Sequence, residues 1–270
     1  MINEKKIIWL ASYPKSGNTW VRIVLNLALE GNIDLNEIKI NSFSGLIKSY
    51  LENKIKLKNP GEIVNHWESV QKSISKQTSK GSYICLKTHN AMGKIGNEFF
   101  PTLKYTAGCV YIVRDPRDVA ISYSNHFNIT IDDSVRSVMN DDRIIYDPEN
   151  FYRSEVISSW KNHLISWRNS PFPILILRYE DLLKDPFLSF EKLFKFCNIK
   201  PLIHIDEIIK LSNFDNISKL EKFSGFKESS VHGKPFFNKG KSEVWKNYPQ
   251  QHFEKILDSC RELMKEFNYI

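Results

Sequence analysis

The sequence has few cysteines, and they lie far apart. Cys85, Cys109, Cys197 and Cys260 form no C-x-x-C pair and show no ligand-like spacing with the histidines. This pattern argues against a disulfide framework and against the common zinc sites, so we expect reduced, mostly buried thiols and no metal. Long apolar runs are also missing: no stretch approaches the roughly 20 apolar residues of a membrane span. The run before Ser12 is too short for a secretion signal, which favours a cytoplasmic protein without a membrane partner.

Blocks of like charge are absent as well, although the chain is basic. It carries 38 Lys and Arg against 31 Asp and Glu, for a formal net charge of +7. A positive excess favours an anionic partner, and nucleic acid, an acidic membrane surface and a polyphosphorylated nucleotide all qualify. The length of 270 residues is large enough for a substantial core, and we predict a single domain over residues 1–270.

The most informative stretch lies near the N-terminus. Residues 7–11 are apolar and rich in β-branched side chains, a Pro/Ser/Gly turn follows, and residues 21–29 have apolar side chains at helical spacing. This order predicts a strand, a loop and a helix. The start of a helix has unpaired backbone N–H groups and the positive end of the helix dipole, so the loop suits a phosphate.

The side chains of this loop agree with phosphate binding but not with the ATPase form of such loops. Lys15 supplies a cation, and the hydroxyls of Ser16 and Thr19 can donate to phosphate oxygens. In the ATPase form, lysine follows the last glycine directly, and the next hydroxyl holds Mg²⁺. Here Asn18 follows Gly17, which predicts phosphate binding without a built-in magnesium ligand.

A second strand and helix have similar chemistry. The buried run 109–113 is followed by Arg114, and a helix is predicted over 119–127 with Pro116 near its first turn. Ser122 lies eight residues after Arg114, about two helical turns on. That spacing can bring a guanidinium and a hydroxyl to one phosphate, for which the planar guanidinium is well suited.

A third strand, predicted over 83–89, ends in polar residues. In open α/β sheets, ligands bind beyond the carboxyl ends of the strands, where His89 and Lys15 would both lie. A lone histidine is more often structural, but Lys87 lies two residues away on the same face of the extended segment. This placement favours a catalytic His89, because imidazole titrates near neutral pH.

Strands alternate with helices along the chain, which predicts an α/β fold: a three-layer α/β/α sandwich with a central parallel sheet. A further interior strand is predicted over 173–177. We interpret 93–105 as a loop, 128–151 as a polar loop or small helix, and 154–167 as a helix with Trp160 and His163 in the core.

The loop sequence Tyr-Pro-Lys-Ser-Gly-Asn-Thr-Trp over residues 13–20 resembles the 5′-phosphosulfate loop of the sulfotransferases that use 3′-phosphoadenosine 5′-phosphosulfate (PAPS). Asn18 stands where that family usually has threonine. The Lys-Thr-His segment at 87–89 resembles the family's catalytic segment. The resemblance implies that His89 is the general base and that Lys87 contacts the phosphosulfate group.

Three further stretches extend the resemblance. It implies that Arg114 and Ser122 bind the 3′-phosphate of the nucleotide. Residues 236–247 resemble the family's glycine-containing loop, although Asn238 replaces the usual arginine, so that Lys239 and the backbone of Gly240 would hold the phosphate. The family's dimerisation signature is absent, which leaves the oligomeric state open. The nucleotide-binding residues implied in all are Lys15, Ser16, Gly17, Asn18, Thr19, Trp20, Arg114, Ser122, Tyr179, Ser212, Phe214, Asn238, Lys239 and Gly240.

The function implied is transfer of a sulfuryl group from PAPS to a hydroxyl or nitrogen of a small-molecule acceptor, with 3′-phosphoadenosine 5′-phosphate (PAP) as product and no metal. His89, Lys15 and Lys87 would be the catalytic residues. Trp20 can stack on adenine or belong to the core. A nucleotide kinase with a P-loop and a nucleic-acid-binding module are the alternatives.

The sequence defines the acceptor less clearly than it defines the donor. A secondary metabolite or an alkaloid is our expectation, with no nucleic acid as partner. Aromatic residues in or beside the variable loops would allow a flat, apolar acceptor: Phe43, Trp67, Phe127, Phe151, Phe223 and Phe226.

Overall fold

A computed structural model describes residues 6–77, 83–229, 234–237 and 240–270. The chain divides into two compact units. The first unit comprises residues 1–13, 40–111 and 141–176, and the second comprises 14–39, 112–140 and 177–270. The single domain over 1–270 therefore stays a prediction, and we describe each unit by itself.

The strands have these bounds: β1 (Ile7–Ser12), β2 (Ile84–Thr88), β3 (Gly93–Ile95), β4 (Glu98–Phe100), β5 (Thr106–Val113), β6 (Ile144–Asp147), β7 (Asn150–Val156) and β8 (Ile174–Arg178). The helices are α1 (Asn18–Glu30), α2 (Phe43–Leu51), α3 (Trp67–Gln77), α4 (Pro116–Phe127), α5 (Ile131–Val138), α6 (Trp160–Arg168), α7 (Tyr179–Lys184), α8 (Pro186–Cys197), α9 (Ile205–Leu211), α10 (Phe214–Ser224) and α11 (Glu254–Glu266). Short 3₁₀ helices cover Pro60–His66, Val244–Asn247 and Gln250–Phe253.

The main sheet has the strand order β2-β1-β5-β8. Helices lie between β1 and β2 and between β5 and β8, as predicted for an α/β fold, whereas the strands β3 and β4 lie between β2 and β5. Strands β1 and β2 pair in parallel, from Ile7 opposite Ile84 to Ala11 opposite Thr88. This register brings the carboxyl ends of the two strands together, so that Ser12 and the residue after Thr88 are neighbours.

Aromatic side chains fill the core of the first unit. The ring centroid of Phe100 lies 5.0 Å from those of Trp9 and Trp67 and 5.5 Å from that of Phe43. Phe43 and Trp67 have no exposed surface. The expectation that these two rings wall an acceptor pocket is therefore wrong, because the cluster buries them against Phe100.

Two hairpins replace segments that the sequence predicted otherwise. The loop predicted over 93–105 contains the antiparallel pair β3 and β4. The loop or small helix predicted over 128–151 holds α5 and then the antiparallel pair β6 and β7. Residues 154–156 belong to β7, and the helix predicted from 154 begins only at Trp160, where Ser159 accepts a hydrogen bond from the backbone N–H of Asn162. Trp160 and His163 are buried, as predicted.

Helices dominate the second unit, and their ends follow local sequence rules. Helix α1 ends at Gly31, whose left-handed backbone lets its N–H donate to Leu27 O. Helix α4 begins with Asp115, whose side chain accepts from Arg117 N, and has Pro116 in its first turn. Helix α4 ends at Phe127, as predicted, and begins at Pro116, three residues before the predicted start.

Candidate active site

His89 lies directly after β2 in the first unit. Its Nδ1 is 2.7 Å from the backbone oxygen of Ser12 and 3.3 Å from the Ser12 hydroxyl. A carbonyl oxygen can only accept a hydrogen bond, so Nδ1 carries the proton and donates. The neutral tautomer with its proton on Nδ1 carries the lone pair on Nε2. That tautomer is the form of histidine that can accept a proton at Nε2.

The main chain at His89 is held by two side chains of the same unit. Its N–H donates to Glu155 Oε1 at 2.9 Å, and its carbonyl accepts from His163 Nε2 at 3.1 Å. Since His163 Nε2 donates, its Nδ1 accepts from the hydroxyl of Tyr111 at 2.8 Å. Burial lowers the pKa of His163 to about 4, against a smaller rise caused by the hydrogen bond to His89. His163 is therefore neutral at pH 7 and serves as a support.

Lys87 and Glu155 form an ion pair in this unit. Lys87 Nζ lies 3.6 Å from Glu155 Oε2, and the two side chains are 16% and 8% exposed. Such a pair is largely shielded from water, so each charge depends on the other. The same carboxylate contacts the Lys87 ammonium and the backbone N–H of His89.

The phosphate loop lies in the second unit and leads into α1. Lys15 and Gly17 have positive φ angles of 68° and 105°, an uncommon conformation for lysine. The Ser16 hydroxyl is buried and has no hydrogen-bond partner among the described residues. A buried hydroxyl without a partner is costly, and a bound oxyanion would satisfy it. This loop therefore fits the phosphosulfate end of a nucleotide.

Lys15 sits in a cationic, partly apolar environment. Its Nζ lies 4.1 Å from the ring centroid of Phe236. Burial lowers its pKa to about 8, and repulsion by Arg114 adds to this, whereas Glu228 and Glu221 oppose the shift. An anion bound here would stabilise the charged ammonium.

Arg114 joins the phosphate loop to the glycine-containing loop. Its guanidinium donates to the backbone oxygens of Lys15 and Lys241, each at 3.1 Å. It lies 4.4 Å from the ring centroid of Tyr179 and 3.8 Å from Asp118 Oδ2. The second unit thus brings together four residues of stretches that are far apart in the sequence: Lys15, Arg114, Tyr179 and Lys241.

Two glycines allow close approach of aromatic rings. A Cβ atom on Gly17 would lie 2.6 Å from the Tyr179 ring, and one on Gly240 would lie 2.1 Å from the Phe214 ring. Both glycines have positive φ angles, so glycine is required at each position for two reasons. The rings of Tyr179 and Phe214, both predicted to bind the nucleotide, are therefore packed against Gly17 and Gly240 of the two loops predicted to bind phosphate.

Trp20 connects the loop to Ser212. Its indole N–H donates to the backbone oxygen of Ser212 at 2.8 Å, and its ring packs edge-on against Tyr179 and Phe190. The hydroxyl of Ser212 is buried, and it too has no hydrogen-bond partner within the described ranges. Trp20 is half-buried here and helps to position two predicted nucleotide contacts.

Glu228 places a carboxylate beside the phosphate loop. Its Oε2 accepts from the Thr19 hydroxyl at 3.3 Å, and its Oε1 accepts from Arg22 Nη1 at 2.6 Å. The Arg22 side chain is 6% exposed and that of Glu228 is 33% exposed. The Thr19 hydroxyl, which the sequence predicts to bind PAPS, therefore donates a hydrogen bond to the carboxylate of Glu228.

The remaining predicted residues have these positions. Asn18 is buried at the start of α1, and Ser122 is half-buried on α4. Asn238 and Lys239 lie outside the described residues. The nucleotide-binding and catalytic roles of all these side chains stay predictions.

Sequence reasoning missed Glu155, His163, Arg22 and Glu228. Glu155 lay in a segment interpreted as helix, and His163 was assigned to the core alone. The residues next to a carboxylate in the sequence do not indicate which distant group it will contact.

Within the described part of the chain, no group of three or more His, Cys, Asp or Glu could hold a metal ion. The helices described include none with the length and apolar character needed to cross a membrane.

Comparison with known proteins identifies the family. The family model of the sulfotransferase domain matches residues 5–268. The flavonol 3-sulfotransferase of Flaveria bidentis is 30% identical over 92% of this chain and 78% of its own length. Sulfotransferase 1B1 of Canis lupus familiaris is 28% identical over 89% of this chain and 77% of its own. The chain therefore belongs to the sulfotransferase family, which confirms the predicted family and enzyme class.

Solved structures show the same fold. Retinol dehydratase in complex with retinol and PAP has a TM-score of 0.62 at 19% identity, covering 98% of this chain and 82% of that one. Mouse sulfotransferase SULT7A1 complexed with PAP has a TM-score of 0.57 at 20% identity, covering 98% and 89%. These likenesses confirm the predicted α/β fold, three layers with a central parallel sheet.

His163 predicts a pH dependence of stability. Its pKa is about 4 in the folded chain against an ordinary value of 6.5, so the unfolded chain binds more protons between these values. The stabilisation is complete above pH 6.5 and is lost as the pH falls towards 4. We expect the free energy of unfolding, measured by urea titration at pH 7, 6 and 5, to fall with a limiting slope of about 1.4 kcal/mol per pH unit from this group.

The His163→Gln variant should lack this component, so its stability should approach that of the unmodified protein as the pH falls. The exposed His204 provides the control, since His204→Gln should leave the slope unchanged. Equal slopes in the unmodified protein and in His163→Gln would contradict the assignment.

Proposed function

We propose that this protein transfers the sulfuryl group of PAPS to a hydroxyl of a small organic acceptor, with His89 as general base. One observation supports the role of His89: its Nδ1 donates to the Ser12 carbonyl at 2.7 Å, so that in the neutral imidazole Nε2 carries the lone pair. We further propose that both units belong to one sulfotransferase domain, because the family model spans 5–268.

The donor assignment is supported by family membership and by the loop chemistry. Lys15, the buried Ser16 hydroxyl and the start of α1 offer a cation, a donor and backbone N–H groups to an oxyanion. Arg114 supplies a second cation, which we propose binds the 3′-phosphate together with Ser122. PAPS is the co-substrate that has phosphates at both positions.

The reaction balances without a further reactant. The acceptor oxygen forms a bond to sulfur, and its proton goes to His89 Nε2. The bond between sulfur and the bridging oxygen of PAPS breaks, and PAP leaves with that electron pair. We propose that Lys15 stabilises the charge that develops on the bridging oxygen and that Lys87 orients the sulfuryl group.

The acceptor class is a flat, largely apolar alcohol or phenol. Two lines support this: the relative from Flaveria bidentis is named for a flavonol, and solved structures of the fold hold retinol or the steroid androsterone. Nitrogen acceptors, the absence of a nucleic-acid partner and a cytoplasmic location stay predictions.

A transfer assay tests the function. PAPS labelled with ³⁵S is incubated with a flavonol, a steroid alcohol and a simple phenol, and labelled product is quantified. We expect transfer to at least one of them, and a loss of roughly 10²- to 10⁴-fold in His89→Ala. The Kd for PAP of this variant, measured by calorimetry, should change little.

The matched control is His204→Ala, because the His204 side chain is exposed and pairs with Asp206. This variant should keep full activity. A folded His89→Ala variant that turns over normally would remove His89 as the base. Failure to bind PAP would instead remove the donor assignment.

The lowered pKa of Lys15 predicts that the protein takes up a proton when it binds PAP above pH 8. Its pKa of about 8 before binding should rise when the anion arrives, so at pH 8.5 PAP binding should be coupled to uptake of up to about 0.7 proton. Affinity should consequently weaken as the pH rises through 8 and beyond. Calorimetry in two buffers of different ionisation enthalpy measures the uptake.

The Lys15→Arg variant keeps its charge at pH 8.5 and should bind PAP with almost no coupled proton. Uptake equal to that of the unmodified protein would assign the proton to another group.

Glu228 predicts a second effect on donor affinity. Its carboxylate accepts hydrogen bonds from Thr19 and Arg22. A phosphate group of PAPS or PAP near Thr19 must therefore displace this carboxylate or lie beside it, and the second arrangement costs free energy because like charges repel. We expect Glu228→Gln to bind PAP about tenfold more tightly at pH 7, a gain of about 1.4 kcal/mol.

The exposed Glu262 pairs with Lys265 on α11, and Glu262→Gln provides the matched control, with unchanged PAP affinity. Weaker binding by Glu228→Gln would show that the carboxylate supports the donor site through Arg22 rather than opposing the donor.

A further inference from the structure

Glu155 lies on β7, in a segment with no motif, yet it contacts both predicted functional residues of the first unit. Its Oε1 accepts the backbone N–H of His89 at 2.9 Å, and its Oε2 lies 3.6 Å from Lys87 Nζ. The side chain is 8% exposed. One buried carboxylate therefore links the main chain at His89 to the ammonium of Lys87.

The same part of the chain is tied to β7 on the other side of His89. The backbone N–H of Val156 donates to Asn90 Oδ1 at 2.7 Å, and the N–H of Ala91 donates to Val156 O at 2.7 Å. Trp167 Nε1 donates to Asn90 O at 3.0 Å. Beyond the end of β2, the main chain is thus held by β7 and α6, so β7 determines where His89 lies.

The energetics favour a fixed arrangement. A buried carboxylate is costly unless it is paired and hydrogen-bonded, and here a cation and an N–H group satisfy its two oxygens. Lysine has a long flexible side chain, so the ion pair also restricts where its ammonium can lie. Loss of the negative charge would release Lys87 without necessarily moving the backbone of His89.

We infer that Glu155 is a positioning residue of the sulfuryl-transfer site, because its carboxylate holds Lys87 and the main chain of His89 in one arrangement. The inference rests on the proposed roles of those two residues. By this inference, β7 orients Lys87 and His89, whose positions matter most in the transition state, because a small displacement there has a large effect on the rate.

The variant Glu155→Gln separates the two contacts. It keeps the length of the side chain and an oxygen that can accept from His89 N–H, but it removes the charge that pairs with Lys87. We expect kcat for sulfuryl transfer to fall roughly 10- to 100-fold. The Kd for PAP should change less than about twofold, because the effect belongs to the transition state.

Coupling to Lys87 distinguishes positioning from a purely structural role. In the background of Lys87→Met, adding Glu155→Gln should lower kcat by less than about twofold, since the carboxylate then has no ammonium to orient. A purely structural role predicts the same fractional loss in both backgrounds. The exposed Glu149 of the β6–β7 hairpin gives the control, because Glu149→Gln should leave kcat unchanged.

Two further measurements keep the inference testable. Should Glu155→Gln fail to fold, Glu155→Asp retains the charge with a shorter reach, and its kcat should fall while its thermal unfolding stays near that of the unmodified protein. Normal kcat in a folded Glu155→Gln or Glu155→Asp variant, alongside an inactive His89→Ala, would overturn the inference alone. Normal kcat in His89→Ala would overturn the proposed base independently of Glu155.

Discussion

The hydrogen bond from His89 Nδ1 to the carbonyl of Ser12 is the constraint on which the chemistry of the first unit depends. It is 2.7 Å long, and its acceptor cannot donate, so it places a proton on Nδ1 without reference to any ligand. The parallel register of β1 and β2 makes it possible, because both strands end at the same level. The buried contacts from Glu155 and His163 then hold the main chain of the histidine on both sides.

In the second unit, the corresponding constraint is the crowding of positive charge. Lys15 and Arg114 lie close enough for repulsion to contribute to the lowered pKa of Lys15. Acidic side chains offset part of this positive charge. Asp118 lies near Arg114, and Glu228 pairs with Arg22 and also favours the charged form of Lys15. A site of this kind favours an anion with several charges, because such a ligand replaces internal counter-ions that are held at a cost in desolvation. A nucleotide with two phosphate groups has that character.

Several elements could be predicted because their signals are local. The bounds of α4 follow from Asp115, Pro116 and Asn128, which cap it or begin it, and the strand, loop and helix around Lys15 follow from an apolar run, a turn and helical spacing. The β6–β7 hairpin was missed because residues 150–156 do not alternate between apolar and polar side chains. Phe43 and Trp67 were misassigned because an aromatic residue beside a loop has the same sequence signal whether it lines a pocket or packs in a core.

The sequence by itself determined the loop between β1 and α1, the helix start behind it and the position of a histidine at a strand end, since each depends on residues within one or two turns of chain. Only the tertiary structure decided which side chains hold them. Ser12 and His89 are 77 residues apart, Glu155 and His89 are 66 apart, and Thr19 and Glu228 are 209 apart. A hydrogen bond over such a separation depends on how the backbone brings two groups within about 3 Å, and no local preference contains that information.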